Sequence, residues 1–187
     1  MNATRKDSQR QRVYAWEHEF TPHEDTPAAI NPRRPFSEEF LRFHAEAWSW
    51  GFERWGRSLV STDALGKSTI TAVPPKLRYS YRLRSASGHA GVRFDRGGKL
   101  GPIITFGQRG PTRKTLLHEQ AHLLTCGDRH GPRFCAVALD LYEQFLGASR
   151  TVAIFAAMAH QVSIDLSCDE DPPFGRSRGR PLFSDQG

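Results

Sequence analysis

The chain has 187 residues, 38% of them apolar, with twelve phenylalanines and four tryptophans; that suffices for one folded core, is too little for two independent domains, and excludes a disordered polypeptide. No apolar run approaches the length that spans a bilayer, and three cysteines without CxxC spacing indicate neither a disulfide framework nor a zinc ribbon. The formal charge is +6, and the polar opening MNATRKDSQRQR lacks the apolar stretch of a secretory signal, so a cytoplasmic protein is expected.

In chain order, Asp7 or Ser8 can cap a helix carrying Val13, Tyr14 and Trp16 to residue 20. Residues 21–35 hold four prolines and predict an extended connection. Ser37 caps a second helix to about residue 57, in which Phe40, Leu41, Phe43, Ala47, Trp48, Phe52 and Trp55 recur at helical spacing as a core stripe. Strands are predicted at 69–73, 77–83, 89–95 and 103–106, separated by glycine-containing turns, and their succession implies a mainly antiparallel sheet. Helices over 113–126, 132–146 and 150–160 follow, then a last strand at 161–166. The division expected is an N-terminal helix and proline-rich linker over 1–35, a main domain over 36–166 and a disordered tail over 167–187.

Between residues 61 and 117 eleven lysines and arginines face only Asp63 and Asp95, a local charge of about +9. In the second strand Leu77, Tyr79, Tyr81 and Leu83 alternate with Arg78, Ser80, Arg82 and Arg84, which puts three arginines on one sheet face. A solvated basic face is the plainer reading. The sharper one is a nucleic-acid contact through Arg78, Arg82 and Arg84.

The run LLHEQAHLL places His118 and His122 four apart within an apolar-periodic helix, so both imidazoles share one face and can reach a single ion at roughly 2.0–2.1 Å. Glu119, beside the first ligand, is the residue type that serves as general base toward water whose pKa a metal lowers. A catalytic zinc takes three protein ligands. Thr125 and Asp128 occupy the positions where a metzincin would carry Gly and a third His, which excludes that class. Cys126 lies about 12 Å along the helix from His118, too far to share an ion comfortably. His130, just past the inter-helix turn, is preferred over Glu143. Glu143 falls with Arg133, Asp140 and Gln144 on the side of its helix away from the apolar face of Phe134, Val137, Leu141 and Phe145.

The stretch HEQAHLLTCGDRHGPRF resembles the zinc-site signature of small SprT-like and minigluzincin-type metalloproteins, in which a helical HExxH is followed at short range by HGPxF. The resemblance implies His118, His122 and His130 as ligands, Glu119 as base and Phe134 as a packing residue. The opening KDSQRQRVYAWE, the strand GHAGVRFD and the overall length further resemble a family of short actinobacterial metallohydrolases.

Together these readings lead us to expect an α+β, zincin-like domain: N-terminal helices, a small mainly antiparallel sheet, an active-site helix packed on it, and C-terminal helices. A Zn2+ cofactor, a peptide or protein substrate, a monomeric state and no membrane association are expected. Tyr142, Arg129 and His89 are candidates for the oxyanion-stabilising group, and strand 89–95 or 103–106 could hold an extended substrate at a sheet edge. The alternatives are a zinc-stabilised nucleic-acid-binding module, a SprT-like protease that depends on nucleic acid, and a regulatory metalloprotein with one target.

Overall fold

A computed structural model describes residues 9–22, 34–56, 72–82, 88–94, 100–108, 110–125 and 128–169. Among them are five helices and three strands, a mixed helix-and-sheet architecture. Helix α1 (Arg10–Phe20) buries Val13, Trp16, Glu17 and Phe20, the i, i+3, i+4, i+7 stripe of an amphipathic helix with a carboxylate in place of one apolar residue. Trp16 donates its indole N–H to the Ala153 carbonyl at 2.8 Å, which ties α1 to the C-terminal helix. Helix α2 (Glu38–Trp55) begins where Ser37 accepts from the Phe40 N–H at 3.1 Å, with Glu38 and Glu39 in the first turn favoured by the helix dipole. Its buried face runs through His44, Ala47, Trp48, Gly51 and Trp55, while Leu41 of the expected stripe is exposed. A Cβ on Gly51 would lie 2.8 Å from Leu124 and 3.3 Å from Leu141, so its absence lets α2 press against the two helices that follow.

Strands β1 (Lys76–Tyr79), β2 (Gly88–Phe94) and β3 (Leu100–Phe106) form one sheet in the order β1-β3-β2. β2 pairs antiparallel with β3, but β1 pairs parallel with it. The sheet is therefore mixed, where a mainly antiparallel one was expected. The parallel register sets Leu77 beside Ile104 and Tyr79 beside Phe106, aligning the apolar positions of both strands on the core side, with Lys76 and Arg78 exposed. β1 stops four residues short of its expected end because β3 ends at Phe106. Ser80 takes the last main-chain bond, to the Phe106 carbonyl at 2.9 Å, and Tyr81 and Arg82 turn into solvent. Ala72 and Val73 form a bend and the rest of the predicted strand 69–73 lies outside the described residues.

Helix α3 (Arg113–Leu124) starts at a Thr112 cap that accepts from the Thr115 N–H at 3.0 Å, and packs against β2, β3, α2 and α4. Helix α4 (Pro132–Leu146) starts with proline at a first-turn position and ends at Gly147, whose φ of 67° is the left-handed conformation glycine tolerates. Every residue from Phe134 to Tyr142 is buried, so α4 is the central helix. Asp140 is among them, although the helical pattern places it on a solvated side. Arg54 and Arg150 pair with its two oxygens and Trp55 donates to it at 3.1 Å, so its charge is compensated inside the fold.

Helix α5 (Arg150–Ala159) closes the core. The expected strand 161–166 is absent. Gln161 takes a φ of 53°, Val162 donates back to the Ala157 carbonyl at 2.8 Å and Asp165 to the Pro132 carbonyl at 3.0 Å. These donors are spent on helix ends, and a 3-10 turn (Leu166–Asp169) follows. Most of the expected tail, 170–187, lies outside the described residues. Among the described residues no helix is long and apolar enough to cross a membrane.

Candidate metal centre

The turn between α3 and α4 brings the third histidine back to the first two. Asp128 caps α4 by accepting from the Phe134 N–H at 2.9 Å, and Gly131 donates to the Asp128 carbonyl at 2.8 Å. A Cβ on Gly131 would meet the Asp128 carboxylate at 2.2 Å, so glycine is needed for this closure. The tight turn, with Arg129 at φ 54°, swings His130 toward α3.

One ring nitrogen from each of His118, His122 and His130 lies within 4.8 Å of the others. His118 and His130 are buried and His122 is half-buried. Four-coordinate zinc with bonds of roughly 2.0–2.1 Å separates its ligand atoms by about 3.4 Å, so the trio is within about 1.4 Å of that spacing at its widest. Three imidazoles, one turn apart on a helix and on the adjoining loop, form a donor set that can hold a metal ion. The Phe134 ring lies 5.0 Å from His118, 4.4 Å from His122 and 5.0 Å from His130, and makes an apolar floor beneath all three. From the other side the Tyr14 ring of α1 approaches His118 at 5.5 Å and His130 at 5.3 Å. Gln9 donates to the His130 carbonyl at 3.3 Å and accepts from the Ser163 N–H at 3.1 Å, which fastens the start of α1 over the same loop.

Behind the cluster His118 Nδ1 donates to Glu17 Oε1 at 2.8 Å, and the Tyr142 hydroxyl donates to the same oxygen at 2.9 Å. Burial alone would raise the Glu17 pKa, but the charge and hydrogen bond of His118, the Tyr142 hydroxyl and nearby Lys114 outweigh it and hold the carboxyl below its usual range. Burial would depress His118, yet Glu17, with Glu119 adding to it, raises its pKa. Burial and the neighbouring carboxylates push the Tyr142 phenol well above its ordinary value, so it stays a donor.

Glu119 is buried on α3, close enough for its charge to act on both His118 and Tyr142. Glu143 is outside the cluster, half exposed, accepting from Arg150 at 2.8 Å. Tyr142 is fully buried with its hydroxyl committed to Glu17, which removes it from the oxyanion candidates. Arg129 is exposed, and His89 sits in β2 opposite Thr105. Arg78 is on the exposed face of β1 and Arg82 in the turn beyond it, so the strand does not carry both, while Arg84 and Cys126 lie outside the described residues. Sequence reasoning passed over Glu17 and Gln9, and read Tyr14 only as one of the helix's apolar positions. The signal for Glu17 was present, an acid inside the buried stripe 13-16-17-20.

Comparison of the chain with protein-family models, with curated proteins and with solved structures finds no match.

Proposed function

We propose that this chain is a zinc-dependent hydrolase with a zincin-like arrangement, acting on amide bonds of peptides. The observation that carries the reading is the convergence of His118, His122 and His130 with Glu119 buried next to the first of them. Imidazole suits zinc, and three such ligands leave one position for water or substrate, the hallmark of a catalytic rather than a closed structural site. A bound zinc ion would polarise a carbonyl and lower the pKa of water. Glu119 then takes the proton from water as it attacks the carbonyl carbon, and delivers it to the departing amine nitrogen. Phe134 and Tyr14 flank the imidazoles with apolar surface, which strengthens the electrostatic interactions between them.

Glu119→Gln tests the assignment. The variant should bind one zinc per chain like the wild type, while cleavage of a peptide library followed by mass spectrometry falls at least ~100-fold. Wild-type cleavage by the variant would overturn the role of Glu119, and a zinc-loaded wild type that cleaves no peptide would overturn the peptidase reading.

A further inference from the structure

Glu17 is not a member of the three-histidine cluster, yet it is the acidic member of an otherwise apolar buried stripe. Its side chain is 4% exposed. A carboxylate so placed is destabilising unless specific donors compensate it, and here the compensation comes from the two sides of the metal centre. His118 Nδ1 and the Tyr142 hydroxyl converge on a single oxygen at 2.8 and 2.9 Å, and Lys114 donates to the Glu17 main-chain carbonyl at 3.0 Å.

Glu17 Oε1 already accepts from the Tyr142 hydroxyl, and with Oε1 as acceptor the proton it shares with His118 sits on Nδ1, which leaves Nε2 as the nitrogen with a lone pair for an ion. The ring has little freedom to exchange the two, since Tyr14 and Phe134 lie against it at 5.5 and 5.0 Å. We propose that Glu17 is the positioning residue of the metal centre: reaching in from α1, it holds His118 in the Nδ1–H tautomer with Nε2 facing the ion, and Tyr142 holds Glu17 in turn. The proposal rests on the metal reading above. It makes metal retention depend on a helix 101 residues away in sequence from the ligand it orients.

Zinc affinity measured by competition with a chromophoric chelator, together with the absorption spectrum of the cobalt(II)-loaded protein, tests it. Glu17→Gln keeps the shape but removes the charge, and should weaken zinc binding about 10- to 100-fold and shift the cobalt bands, with Tyr142→Phe changing both in the same direction by less. A folded Glu17→Gln protein with wild-type affinity and an unchanged cobalt spectrum overturns the proposal. Should that variant not fold, nitrogen-15 NMR of the zinc-loaded wild type decides: Nδ1 protonated and Nε2 metal-bound on His118 supports it, and the reverse overturns it. A wild type that binds no zinc overturns the metal reading itself, an outcome distinct from equal binding by wild type and variant.

Discussion

His130 and Glu143 make opposite predictions for metal content. His130 contributes a donor to the cluster, whereas Glu143 is held outward by Arg150. His130→Ala should lose zinc on gel filtration in the presence of a weak chelator, and Glu143→Ala should keep one ion per chain, as read by plasma emission spectroscopy. Loss of metal from the second variant would move the third ligand to α4 and change the subclass. The three histidines were legible in the sequence because their geometry is local, a four-residue helical spacing and a glycine-proline turn directly after it. Glu17 was not, because its role depends on α1 docking against α3 and α4, a contact no local spacing encodes. Only its intrusion into the 13-16-20 apolar stripe marked it.

At the scale of elements, the placement of α3 depends on a polar pin as well as on apolar packing. His44 of α2 donates from Nε2 to the Pro75 carbonyl at 2.8 Å, and accepts at Nδ1 from the Gln120 amide at 2.9 Å, so both ring nitrogens are used by the neutral form. Burial lowers its pKa below 6.5, only partly opposed by the Pro75 carbonyl. The unfolded chain then binds the proton more readily, so stability held by His44 is complete above that value and is lost as pH falls below it. The gap in thermal midpoint between wild type and His44→Gln should therefore narrow on going from about pH 8 to about pH 5.5; a gap that stays constant or widens would show that the neutral imidazole is not what the fold selects. The helices around this pin could be read from their apolar spacing, with Ser37 as a cap. Ser37, Thr112 and Ser149 each supply the side-chain oxygen that begins one, and Pro132 with Gly147 brackets α4. The sheet could not be read this way, since whether β1 runs parallel or antiparallel is decided by which edge of β3 it meets and by the match of Leu77 and Tyr79 to Ile104 and Phe106.

For the whole molecule, the histidine cluster is a junction. Two of its members come from α3 and one from the turn into α4, and Tyr14 and Glu17 of α1 lie against them. α1 is in turn bound to α5 through Trp16. An ion that binds only when these parts are assembled stabilises the folded state by mass action, about 2.7 kcal/mol when free zinc is a hundredfold above its dissociation constant. For a domain of this size each kcal/mol moves the thermal midpoint by about 2–4 °C, so zinc should raise it by about 5–11 °C over the chelated protein. His122→Ala with His130→Ala should abolish the shift while leaving a cooperative transition, because the apolar core and the His118–Glu17 hydrogen bond remain. Calorimetry with and without chelator measures it, and equal midpoints would mean that the histidines do not bind zinc in the folded state. A shift in the wild type that collapses in Glu17→Gln at matched zinc concentration would show that the N-terminal helix takes part in the same linkage. This follows because a weaker dissociation constant at fixed zinc reduces the mass-action stabilisation directly.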